Sequence, residues 1–111
     1  MKRDLHVTDF QRRVYEAAKR IPRGKVTTYK LLAAAIGCGS SRAVGQALRR
    51  NPFAPAVPCH RVIRTDLTLG GFSGKVRGAN IVRKKKLLEE EGIRFSGGRL
   101  ADAGQVHRFG R

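Results

Sequence analysis

The stretch that decides the fold is YKLLAAAIGCGSSRAVGQALRR, residues 29–50. Tyr29 to Ile36 is short and rich in Ala and Leu, residues that lose little side-chain freedom in a helix, and Gly37 stops it. Cys38 and Gly39 make a tight connection. Ser40 or Ser41 then offers an N-cap hydroxyl for a second helix running to about Arg50. Asn51-Pro52 closes that helix, because a residue before proline is disfavoured in helical backbone. A short helix, a glycine-containing turn and a second helix ending in Arg49 and Arg50 predict a helix-turn-helix. Helix pairs that never meet DNA share this pattern.

Outward from this motif, Thr8 to Ile21 predicts a helix, with Thr8 as N-cap and Phe10, Val14, Ala17, Ala18 and Ile21 on one apolar stripe. Pro22 and Gly24 end it. Lys25 to Thr28 is too short to classify, although Thr28 can cap the helix that follows. Phe53 to Pro58 cannot be regular helix because prolines punctuate it. Val62 and Ile63 begin a short extended segment, and Gly70 to Gly74 is a loop. Asn80 caps a last helix through Glu91, with Ile81, Leu87 and Leu88 inward and Gly92 as its stop. From Ser96 the chain is Gly-rich and expected to be loosely held. The expectation is a mainly α, single domain over residues 1–95, winged helix-turn-helix-like, with a short extended segment near the active site and a tail over 96–111. No internal repeat is found.

Charge narrows the partner. Lys and Arg total 24 against 8 Asp and Glu, a formal net charge of +16 and a pI near 11.4. Such an excess repels itself in a compact state, so a polyanion is the natural partner. Nucleic acid comes first and an anionic membrane second, since the basic residues are scattered rather than aligned on one amphipathic face. No apolar run approaches the ~20 residues that span a bilayer. Met1 to Asp9 is polar and unlike a signal peptide, so the expected location is the cytoplasm, associated with the nucleoid.

Only Cys38 and Cys59 carry thiols, without metal-ligand spacing, and His6, His60 and His107 lie far apart. The expectation is two free cysteines and no metal. In the last helix Arg83 to Lys86 lie toward the N-terminal half and Glu89 to Glu91 crowd the C-terminal end. Both oppose the helix dipole. Either this is a solvated face, eased by Lys85–Glu89 and Lys86–Glu90 pairing, or one glutamate is placed for a purpose.

Pro58-Cys59-His60-Arg61-Val62 is the segment with chemistry in it. A thiol is a weak nucleophile until a base or cation favours its thiolate, and His60 and Arg61 are the right types. Adjacent side chains on extended backbone point opposite ways, so contact would need a bridging water or irregular backbone near Pro58. Taken alone, Cys-His also fits a small buried residue beside a packed histidine.

The segment resembles the active-site signature of the O6-alkylguanine-DNA alkyltransferases. Its flanks match that family in order and approximate spacing: Gly24 to Tyr29, Ser41 to Gly45, Asn51-Pro52, Gly71 to Gly74, and Leu87-Leu88 leading to Glu91-Gly92. The similarity runs from about Thr8 to Phe95. It implies DNA repair by single-turnover transfer of an alkyl group from O6 of guanine in double-stranded DNA to Cys59, with no cofactor, by a monomer. Cys59 would be the acceptor, His60 a base acting through water, and Glu91 the group that orients His60. Asn51 would close the turn before the active-site segment. Tyr29 and Ser73 would bind the flipped base or its phosphate, with Phe72, Val62 and Arg61 at the pocket. Arg42 would enter the base stack, because the target oxygen is reached only after the nucleotide rotates out. The small residues Ala43, Gly45 and Ala47, with Gln46 and Arg49, would bring the second helix into the minor groove.

The match departs from the family in three places. The usual N-terminal domain is expected to be absent, Lys75 stands where a second glycine is frequent, and Phe72 replaces a frequent Tyr. The alkyltransferase-like proteins, which bind alkylated guanine without repairing it, are similarly short but typically have Trp where this chain has Cys59. A sequence-specific regulator would leave Cys59, His60 and Glu91 unexplained together. If the charge serves to track phosphates, contacts to ~5 of them give a log–log slope of DNA affinity against salt near −4.5. A salt titration by fluorescence anisotropy checks this, and a flat response rejects phosphate tracking.

Overall fold

The computed structural model describes residues 7–53, 56–69 and 79–109. Its first half is three packed helices: α1 (Asp9–Ala18), α2 (Tyr29–Ala35) and α3 (Ser41–Arg49). Each begins on a hydroxyl. Thr8 Oγ1 accepts the Gln11 N–H at 3.0 Å, while the Gln11 side chain accepts the Thr8 N–H at 3.0 Å, a reciprocal capping box. Thr28 Oγ1 accepts the Leu31 N–H at 3.1 Å, and Ser40 Oγ accepts the Ala43 N–H at 3.0 Å. Of the two adjacent serines, Ser40 is therefore the cap. Each cap stabilises by about 1 kcal/mol. α1 stops short of the expected Ile21, because the N–H groups of Arg20 and Ile21 bond only three residues back, to Ala17 and Ala18.

Val14, Ala18, Leu32 and Val44, all fully buried, join the three helices. Tyr15 crosses this core and its hydroxyl donates to the Ala47 carbonyl at 2.7 Å. The segment too short to classify becomes β1 (Thr27–Thr28), paired in parallel with β2 (Val62–Ile63), Thr27 opposite Val62 and Thr28 opposite Ile63. That pairing brings the chain after Cys59 against the start of α2.

A second core gathers Val26, Ile63, Leu88, Ile93, Leu100 and Val106. α4 (Ala79–Glu90) enters it through Leu88. The helix starts one residue before the expected cap Asn80. Its inward face also differs: Ile81 and Leu87 are half-buried, while Lys84 is fully buried one turn before Leu88. Gly92, with φ +85°, ends the helix as expected. The Ile93 N–H reaches back to the Leu88 carbonyl and the Gly92 N–H to that of Glu89, the Schellman arrangement that uses glycine in left-handed backbone.

The segment after Ser96 corrects the expectation of a loose tail. β3 (Phe95–Ser96) and β4 (Arg99–Leu100) form an antiparallel hairpin across Gly97 and Gly98, both at positive φ as a two-residue turn of this hand requires. Beyond it Val106 bridges Val26, and Thr27 Oγ1 donates to the His107 carbonyl at 2.8 Å. Leu100 and Val106 stand alone in sequence because each fills one place in a core supplied by other elements. Among the described residues, no helix is long and apolar enough to cross a membrane. Leu100→Ala should accordingly cost about 2–5 kcal/mol, read as a lowered urea midpoint at unchanged slope. A shift below about 0.5 kcal/mol would restore the loose tail.

Candidate active site

Cys59 packs against the three-helix core, in a turn that also meets α4. Pro58 leads into a 3-10 turn over Cys59–Arg61, so the backbone there is irregular rather than extended. The Cys59 N–H donates to the Val57 carbonyl at 2.9 Å. Asn51 Nδ2 donates to that same carbonyl at 3.0 Å, and Asn51 Oδ1 accepts the Phe53 N–H at 2.9 Å. Asn51 thus ties the end of α3 to the segment that carries Cys59; both bonds run to backbone groups. Cys59 itself is half-buried against the three-helix core.

His60 is 6% exposed and its Nε2 lies 3.0 Å from Glu91 Oε2. Arg61, next in the turn, grips the same carboxylate with both arms, Nε to Oε1 at 2.8 Å and Nη2 to Oε2 at 2.9 Å. Its remaining nitrogen, Nη1, donates to the Ile21 carbonyl at 2.9 Å. Arg23 adds an outer charge 3.9 Å from Glu91. Glu91 is the residue just beyond α4, where the Schellman turn holds it.

These contacts set the protonation states. Burial by itself would raise the Glu91 carboxyl, but the hydrogen bonds from Arg61 and His60 outweigh it and bring the pKa to about 2. Burial lowers His60 below its ordinary value, and the Glu91 bond only partly opposes this. At neutral pH the pair is therefore a carboxylate facing a neutral imidazole. Nε2 carries the proton toward Glu91, which leaves Nδ1 as the basic nitrogen.

Arg61 was expected at the substrate pocket, but its guanidinium is committed to Glu91 and Ile21. Val62 was expected as pocket wall, but its side chain is fully buried in the three-helix core, because β2 pairing turns it inward. Phe72 and Ser73, and the 70–74 loop with them, lie outside the described residues. Tyr29 and the exposed side of α3 surround a groove of about 780 Å³, lined by Ser41, Arg42, Gly45, Gln46 and Arg49. Ala43 shares the first turn of α3 with Arg42. Gly45 lies against the Tyr29 ring, where a Cβ would sit 3.9 Å from Cε1.

Sequence reasoning missed three residues here. Arg64 and Thr65, just after β2, line the groove opposite α3. Lys84 donates from Nζ to the Val62 carbonyl at 2.8 Å. Burial lowers its pKa to about 7, against the opposing pull of a Cys59 thiolate. Burial also raises the Tyr29 hydroxyl, and the same thiolate charge adds to that rise, so both groups feel the sulfur electrostatically. The signal for Lys84 was its place one turn before Leu88, masked by the run of cations around it. Among the described residues no cluster of His, Cys, Asp or Glu suits a metal ion.

Because the folded carboxyl of Glu91 sits near 2 and its ordinary value is 4.5, its contribution to stability is complete above pH 4.5 and disappears as pH falls through 2. Glu91→Gln should therefore flatten acid unfolding across that window, followed by circular dichroism. At neutral pH the same change should cost about 3 kcal/mol, since it leaves Arg61 without its counter-charge. A profile parallel to the parent protein's would remove Glu91 from the network.

Comparison with known proteins places the same residues in context. Residues 9–93 match the family described as 6-O-methylguanine DNA methyltransferase, DNA binding domain. The methylated-DNA–protein-cysteine methyltransferase of Methanothermobacter thermautotrophicus is 48% identical over 90 residues, 81% of this chain and 48% of that protein. A crystal structure of the Mycobacterium tuberculosis OGT in complex with DNA aligns with TM-score 0.63 at 46% identity, over 77% of this chain and 49% of the other. The Schizosaccharomyces pombe protein Atl1, solved with damaged DNA containing O6-carboxymethylguanine, aligns with TM-score 0.67 at 36% identity, over 90% of this chain and 89% of its own. The chain spans about half the length of the curated relatives it matches.

Proposed function

From the premise that this chain belongs to the 6-O-methylguanine DNA methyltransferase family, we propose that it repairs DNA by moving an alkyl group from O6 of guanine onto Cys59. The observation that supports this most is the 3-10 turn. It presents Cys59 half-buried, close enough to Tyr29 of the α3 groove for their charges to interact, while the next two residues, His60 and Arg61, are locked onto one carboxylate.

The steps follow from the side chains. α3 enters the minor groove, and Arg42, exposed on its first turn, fills the gap left when the damaged nucleotide rotates out. Arg49, Arg64 and Thr65 hold phosphates on either side of the groove, and Tyr29 meets the extruded base. His60 takes the thiol proton through water, and Glu91 stabilises the imidazolium that results. Sulfur attacks the alkyl carbon as the carbon–O6 bond breaks; the electron pair leaves with guanine, which takes up a proton. The product is a thioether. It does not hydrolyse readily, so each molecule acts once. No cofactor enters this scheme, and DNA binding would keep the protein on the nucleoid.

A second reading rests on the match to Atl1 over nearly the full length of both chains: recognition of the lesion without transfer. Intact-mass spectrometry separates the two. Incubation with a duplex containing O6-methylguanine should replace one thiol hydrogen by a methyl group, and Cys59→Ser should abolish this while DNA affinity changes less than about threefold. Lesion binding without any mass change would favour the sensor. Arg42→Ala should reduce preference for the lesion duplex about tenfold or more while weakening undamaged DNA far less, measured by competition anisotropy. Equal losses on both duplexes would take Arg42 out of the flipping step.

A further inference from the structure

A second basic surface lies on α1. Arg12, Arg13, Glu16, Lys19 and Arg20 are exposed and fall on one side of the helix, opposite Val14, Ala18 and Ile21, which enter the core. With Ala17 and Ala35 as a low floor they border a groove of about 640 Å³ between α1 and the end of α2. A neighbouring hollow of about 290 Å³ shares Arg20 and Ala35 and extends to Arg108. Among the described residues, five cationic side chains border these two adjoining hollows, and Glu16 is the one carboxylate lining them. None of them lines the groove beside α3.

Packing accounts for part of this set. Arg13 donates to the Ile36 carbonyl at the end of α2, and Arg20 lies 5.4 Å over the Phe109 ring. Arg12 and Lys19 reach solvent, with Lys19 4.0 Å from the more exposed Glu16. Their placement calls for a partner, and three features specify its chemistry. From Arg12 on α1 to Arg20 in the turn just beyond it the stripe runs about 12 Å, the axial span of roughly four successive phosphates on one strand of a duplex. Four of the five cations are arginines, whose planar fork matches phosphate oxygens. The alanine floor lets a backbone approach closely. The α3 groove, moreover, is lined among the described residues by the cations Arg42, Arg49 and Arg64, a small part of a net +16, so docking there leaves much of the positive charge unneutralised.

We infer that the α1–α2 groove binds the phosphate backbone of a second duplex segment, so that one molecule bridges two stretches of DNA. The inference rests on reading α3 as the surface for the first. Bridging would let the protein pass from one segment to another during its search without full release.

The test loads the intact protein on an immobilised duplex carrying O6-methylguanine, then adds a fluorescent undamaged duplex and measures its capture against salt. Arg12→Glu/Lys19→Glu should reduce capture at least about tenfold and make its log–log salt slope shallower by about 2, while loading on the first duplex changes less than about threefold. Arg12→Gln/Lys19→Gln provides the milder pair should charge reversal disturb folding, and should also reduce capture. Absence of capture by the parent protein, or equal capture by both variants, would overturn the proposal. So would retention of fluorescent polyglutamate in place of the duplex, which would make the groove a site for an acidic protein. Failure to load on the first duplex, with the second still bound, would instead count against the α3 reading and leave this one standing.

Discussion

The carboxylate of Glu91 ties the turn that carries Cys59 to the end of α4. On one side it ends α4, whose Leu88 and following Ile93 are buried with the β3–β4 hairpin. On the other it receives His60 and both arms of Arg61 from the turn that carries Cys59. Glu91 stands at the negative end of the α4 dipole, an unfavourable place for an anion that Arg61 offsets. Buried ion pairs of this kind seldom add much net stability over an apolar replacement. What this one supplies is position: the turn is held against α4 at the residue where the chemistry is proposed.

The parallel pairing of β1 with β2 supplies the other half of that geometry. Between Thr28 and Val62 the chain builds α2, α3 and the Cys59 turn, then returns to the strand from which α2 began. Thr28 is at once the last residue of β1 and the N-cap of α2, so strand register and helix start are coupled. Tyr29 therefore faces α3 from one side and the residues after β2 from the other. The groove is a consequence of that closure rather than of either helix alone.

Charge is sorted by burial. Cations on α1, on α3 and after β2 stay in solvent, where a polyanion can reach them. Lys84, in contrast, is fully enclosed and bonded to the Val62 carbonyl, and burial brings it near neutrality at physiological pH. His60 is likewise held neutral by burial, against the pull of Glu91. A neutral imidazole can accept a proton where a charged one cannot, so burial suits His60 to the role of base proposed for it.

The sequence by itself determined what depends on neighbouring residues. Hydroxyl caps at Thr8, Thr28 and one of the serines 40 and 41, the stops at Gly37 and Gly92, and the helix-turn-helix were all legible, because caps and glycine turns act within a few residues. The motif around Cys59 and the order of its flanks disclosed the family. Tertiary structure decided the rest. Leu100 and Val106 carry no periodic signal and became core only once Val26, Ile63 and Leu88 surrounded them. Lys84 turned inward within a run of cations, Val62 entered the core through strand pairing, and Arg61 turned onto Glu91. Each of these depends on a partner about 20 or more residues away, and burial or ion pairing across that separation leaves no local pattern to read.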